Sequence, residues 1–208
     1  MEGRLRTGVE VLDRKLGGGI PAGSTVALCA QPASQAELLL HELSATRGTL
    51  YVTLGRTEAA VEASIRTSPA HAGEPTVRHV TGDAPLDNTA KLVGALPEAS
   101  NLIVDPADVL ERCDPDRYRN FLNDLQNHLS NTGGLAVLYC LAGHDVPPGR
   151  DTTRHMADVV FDLKTHVGSD TIENRLTVPK FRGGRALSDV VKLELAERVA
   201  IDTSRDIA

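Results

Sequence analysis

The chain has 208 residues, 28 of them acidic and 22 basic, for a formal net charge of −6, and only 3% are aromatic. This length suits one domain with a buried core. The acidity argues against a surface that coats nucleic acid, and the lack of aromatic platforms argues against stacking on single strands.

Apolar runs and amphipathic patterns alternate along the chain. The first helical pattern covers residues 9–16, and a glycine break at 17–19 separates it from a strand at 25–30. Helix 35–46, strand 49–54, helix 57–67, strand 77–80 and helix 87–96 follow. Then come strand 101–105, helix 115–131 and strands at 135–141, 158–163, 175–179 and 190–195. Strand–helix alternation predicts a mostly parallel sheet covered on both faces. The last strands have no helices between them, so the sheet is expected to end in antiparallel hairpins. Phe121, Leu122, Leu125 and Leu129 are spaced as the core face of a helix. One domain over 1–201 and a polar tail at 202–208 are expected.

Cys29, Cys113 and Cys140 are odd in number and widely spaced, and the seven histidines form no H-x-x-H pattern, so no metal site is expected. No run of about 18 apolar residues is present, which predicts no membrane helix, and the charged start lacks a signal region. Free cysteines in apolar strands fit a reducing cytoplasm. Seventeen arginines against five lysines are compatible with a GC-rich or salt-adapted source.

The segment Ala30-Gln31-Pro32-Ala33-Ser34-Gln35-Ala36-Glu37 joins a strand to a helix, which is the context of the phosphate-binding pattern G-x-x-x-x-G-K-[ST]. Ala30 and Gln35 stand at the two glycines, Ala36 at the lysine and Glu37 at the hydroxyl residue. No cation remains to neutralise phosphate, and Glu37 adds a repelling charge. Ser34-x-x-Glu37 before an apolar run also matches a capping box. Ser34 would then cap the helix, and Glu37 would reach back to the Ser34 amide. A variant nucleotide loop is the alternative.

Thr7-Gly8-Val9-Glu10-Val11-Leu12-Asp13 and Leu16-Gly17-Gly18-Gly19-Ile20-Pro21-Ala22-Gly23-Ser24 resemble the opening of the RecA superfamily, in its KaiC-like and archaeal RadA/RadB-like branch. Ala157–Phe161 is similar to a late strand of that branch, and Asn174–Gly184 to its terminal hairpin. The likeness runs from about residue 6 to about residue 201. It implies a RecA-like α/β fold and makes Ala30–Glu37 a degenerate Walker A loop. Asp105, ending Leu102-Ile103-Val104, becomes a Walker B carboxylate; the plainer reading is a turn residue before Pro106.

Relatives place a water-activating glutamate after the strand Tyr51–Leu54, where this chain has Gly55, so no general base is expected there. Glu58 is either a substitute base or a first-turn carboxylate favoured by the helix dipole. Lys180 and Arg182 project to one side of a strand. In KaiC-like relatives a matching pair reaches a neighbouring subunit's nucleotide; the alternative is a solvated basic edge. The expected function is a catalytically inactive RecA/KaiC-like module that acts in regulation or signalling without a cofactor, by binding a protein partner, with head-to-tail self-association as one form of that binding. The alternative is a KaiC/RadB-like ATP- and magnesium-binding protein or ATPase with a divergent loop, or a DNA recombination accessory.

Overall fold

The computed structural model of the protein describes residues 3–196 and 199–201. The expected tail at 202–208 lies outside the described residues. In chain order the elements begin with β1 (Arg4–Leu5), α1 (Glu10–Lys15), β2 (Ile20–Pro21), β3 (Ser24–Ala30), α2 (Glu37–Ser44) and β4 (Thr49–Thr53). They continue with α3 (Glu58–Arg66), β5 (Thr76–His79), α4 (Pro85–Gly94), β6 (Asn101–Asp105), α5 (Asp108–Glu111) and α6 (Pro115–Thr132). The last are β7 (Leu135–Leu141), α7 (Arg150–Met156), β8 (Val159–Val167), β9 (Ile172–Phe181), β10 (Val191–Leu195) and β11 (Val199–Ile201).

Nine strands form one sheet in the order β11-β10-β9-β8-β3-β7-β6-β4-β5, and β1 pairs with β2 as a separate ribbon. The strands from β8 to β5 pair in parallel, while β8–β9, β9–β10 and β10–β11 pair antiparallel. This is the expected mostly parallel sheet with an antiparallel end.

All seven residues of β3 are buried, and the period of two splits them between two cores. Val26, Leu28 and Ala30 pack in a core with Leu12, Leu40, Leu43 and Val61. Ala27 and Cys29 pack in the other, with Val93, Tyr118, Phe121, Leu125 and Leu129. The predicted inner face of α6 is thus buried. Pro115 starts α6, Asp114 caps it by accepting from the Asp116 and Arg117 amides, and Gly133 ends it at φ 67°. Cys29 and Cys140 lie side by side on β3 and β7, both buried.

Two helices were not visible as sequence patterns. α5 is only four residues long. α7 (RDTTRHM) turns Arg150 and Thr153 inward rather than apolar residues. Arg150 donates to Glu111, Asp108 and the Leu141 carbonyl, and Thr153 to Glu111. A helix docked by buried charges leaves no apolar period to read. Among the described residues, no helix is long and apolar enough to cross a membrane.

Candidate functional site

The carboxyl ends of β3, β4, β6 and β7 meet at the loop after β3, where open parallel sheets place ligands. Ala30 is the last residue of β3 and is fully buried. Gln31, Pro32, Ala33 and Gln35 are exposed. Gln31 accepts a hydrogen bond from the Thr165 amide at 3.2 Å.

The capping box is not formed. The helix starts at Glu37, two residues later than expected, and Ala36 precedes it in helical conformation without a side-chain cap. The Ser34 hydroxyl instead donates to the Gln31 carbonyl at 2.7 Å, closing the turn on itself. Glu37 turns outward because a better donor lies across the loop: Arg56 Nη1, 3.1 Å from Oε2, with the Ser64 hydroxyl at 3.4 Å. A charge-assisted bond to a guanidinium is about twice as strong as one to a neutral amide.

The other end of Arg56 meets Asp105. Nη2 lies 2.8 Å from Asp105 Oδ2, and the Tyr51 hydroxyl donates to the same oxygen at 2.6 Å. The Asp105 side chain is only 7% exposed, whereas those of Arg56 and Glu37 are about a third exposed. One guanidinium therefore bridges the loop's last residue to the carboxylate at the end of β6. The register supplies the geometry. Thr53 pairs with Asp105, so Tyr51, two residues earlier, shares its face, and Arg56 follows just beyond the strand end.

The electrostatics of the cluster are mutually consistent. Burial opposes charge on Arg56, but the Asp105 hydrogen bond and the charges of Asp105 and Glu37 outweigh it, and its pKa is raised. Burial, with the Asp105 charge beside it, pushes the Tyr51 phenol well above its usual value. Burial and the charges of Asp105 and Glu37 push Tyr139, on β7, up to about 12. Burial lowers the His41 pKa on α2, where Nδ1 is 2.7 Å from the Ser68 hydroxyl. Both tyrosines stay neutral donors near neutral pH, and the cluster holds two carboxylates against one guanidinium.

Gly55 lies beside Pro106, and a Cβ there would fall 3.2 Å from the proline Cδ. Glu58 is the first residue of α3, in the first-turn place expected of it. Its carboxylate accepts the His79 amide at 2.9 Å, tying α3 to β5. Among the described residues, no group of three or more His, Cys, Asp or Glu converges on a point that holds a metal ion.

Lys180 and Arg182 lie toward the other end of the sheet. Lys180 pairs with Val160, which also pairs with Ala27, about 10 Å along β3 from Ala30. Both cations turn to the C-terminus of α7. Lys180 donates to the Arg154 and His155 carbonyls, and Arg182 to those of Met156 and His155 and to Asp158. Cations there satisfy the last carbonyls and suit the helix dipole. The Arg182 side chain stays 52% exposed.

Sequence reading singled out Glu37 and Asp105 but missed Arg56, Tyr51 and Tyr139. The available signal was an arginine directly after Gly55, beyond a strand that neighbours the one ending in Asp105.

A family model described as a family of unknown function, DUF7125, matches residues 4–208. No curated protein matches the sequence significantly. Among solved structures, the chain is similar to the KaiC-like protein PH0186 from the hyperthermophilic archaeon Pyrococcus horikoshii OT3. The TM-score is 0.77 at 16% identity, covering 97% of this chain and 100% of that one. The fold is therefore that of a KaiC-like RecA domain.

Proposed function

This chain belongs to the DUF7125 family, and we propose that it is a catalytically silent KaiC-like domain that acts by binding a partner protein in regulation or signalling. The observation that carries this reading is Arg56. Its guanidinium links Glu37, at the Walker A hydroxyl position, to Asp105, at the Walker B position. Magnesium in an active relative would be held between such positions. Here a side chain supplies the positive charge, and the cluster still carries a net negative charge toward the loop.

ATP and magnesium do not fit this donor set. Ala36 offers no ammonium, Glu37 is a carboxylate in place of a hydroxyl, and the loop lacks both glycines. At about 4 Å, two like charges repel by roughly 4 kcal/mol at an effective dielectric near 20. That offsets the roughly 4 kcal/mol that a millimolar ligand requires. Gly55 leaves no side chain to activate water.

A domain that keeps the fold without nucleotide chemistry acts through its surface. The exposed edge of Arg182, beside Lys180, is the surface proposed for contact, either with a partner protein or with the acidic Glu37 face of a second copy. Such contacts weaken with salt.

Calorimetry with ATP–magnesium tests the central reading. The expected result is no saturable heat below about millimolar ligand. Saturable micromolar binding that needs magnesium and is lost in Asp105→Asn would refute the reading and restore an ATP-binding protein. Light scattering against salt, with Lys180→Glu/Arg182→Glu, tests the contact. A monomer under all conditions removes self-association, and partners retained by the double variant in a pull-down remove the surface altogether.

A further inference from the structure

A second polar site lies at the opposite end of the sheet, and no part of the reading above uses it. A groove of about 730 Å³ is lined by Arg4, Arg6, Arg14 and Arg47, with Glu10 and Asp13. The arginines come from β1, the stretch after it, α1 and the turn between α2 and β4. Arg47 lies two residues before β4, so the groove opens at the amino ends of the parallel strands, away from Glu37 and Asp105.

None of these four arginines makes an ion pair among the described residues, although ten such pairs form elsewhere. Eight other arginines take part in those pairs. Arg47 is half-buried, and its donors reach only Asn101 Oδ1 at 2.6 Å and the Arg6 carbonyl at 3.2 Å. Burial lowers its pKa, and the charge of Asp13 opposes that shift only in part. Arg4 stacks over Phe181 and donates only to carbonyls of Leu16, Gly19 and Gly183. Arg6 and Arg14 are exposed. Asp13 is buried, and its Oδ1 is taken by the Thr7 amide and hydroxyl, both at 2.8 Å. The lining thus carries four positive and two negative charges in a chain of net charge −6.

We propose that this groove binds a small anion carrying two or more phosphate groups. Guanidiniums match phosphate oxygens through paired donors. Four of them around one space call for a ligand with several charges rather than a single carboxylate. The volume falls in the range of about 300–1,000 Å³ typical of small-ligand sites. A long polyanion is disfavoured by Glu10 and Asp13 in the lining and by the chain's net charge of −6.

The experiment is calorimetry with sodium pyrophosphate in EDTA at low salt, so that magnesium-dependent binding near Asp105 does not contribute. The expected result is saturable binding to one site, at least about tenfold weaker in Arg6→Ala/Arg14→Ala and weaker at higher salt. Arg66→Ala, on the exposed face of α3, should bind as the parent does. Circular dichroism should report an unchanged fold in the double variant, whose altered side chains are exposed. Three outcomes overturn the proposal: no saturable heat, equal binding by the double variant, or equally tight binding of citrate. Tight binding of a single-stranded oligonucleotide without binding of pyrophosphate overturns the small-ligand assignment in favour of nucleic acid.

Discussion

Arg56→Ala should destabilise the protein by about 2–3 kcal/mol, mainly through Asp105. The Asp105 arm is a charge-assisted bond of 2.8 Å to a carboxylate 7% exposed. Such bonds contribute about 1.5–3 kcal/mol. Without the guanidinium, Asp105 keeps the Tyr51 hydroxyl as its side-chain donor but loses its counter-charge. The Glu37 arm joins groups 35% and 34% exposed, so solvent screening limits it to about 0–1 kcal/mol. Arg56 itself is a third exposed, which keeps the sum well below the roughly 3–5 kcal/mol typical of breaking a fully buried pair. In a chain of this size, about 2–4 °C is lost per kcal/mol, so the midpoint should fall by about 4–12 °C. Urea unfolding followed by circular dichroism measures the cost. A cycle with Asp105→Asn isolates the coupling, expected at about 1–2 kcal/mol. A cost under about 0.5 kcal/mol together with additive single variants would mean that Arg56 does not hold the site together.

Three further outcomes follow from the same geometry. Ser34→Ala should change stability by no more than about 0.5 kcal/mol, because Ser34 caps no helix; a loss of about 1 kcal/mol in urea unfolding would reinstate the cap. The lowered pKa of His41 means that the folded state binds its proton less readily than the unfolded chain does. Stability from this residue is therefore full above the ordinary value of 6.5 and is lost as the pH falls through the folded value. His41→Gln should flatten the urea midpoint between about pH 7.5 and about pH 5.5, and an unchanged slope would exclude His41 as its source. Gly8→Ala should cost about 3 kcal/mol or more, since φ is +93° and a Cβ would sit 2.3 Å from the Glu42 carbonyl oxygen; near-parent thermal stability would contradict that crowding.

The sheet was legible because its strands are buried on both faces and read as apolar runs between turns. β3, β4, β6 and β7 lie close to their expected limits for that reason, and the inner face of α6 follows from its helical spacing. The hairpin of β8 and β9 extends past its apolar stretch to Val167 and Ile172, which are 78% and 66% exposed, because backbone pairing continues where burial stops. The residues of the loop after β3, Ala30, Gln35, Ala36 and Glu37 among them, were equally plain, since they are identities at fixed positions. What only the tertiary structure decided is where charged side chains find their partners. Glu37 had a local choice, the Ser34 amide, and a distant one, Arg56, 19 residues further on. The distant partner prevails because it carries the opposite charge, and β4 and β6 bring it within reach of both carboxylates. Lys180 and Arg182 likewise meet helix carbonyls from 25 to 27 residues before them. Periodicity records which face of an element is apolar. Ion pairing depends on through-space distances that arise only once the strands are in register.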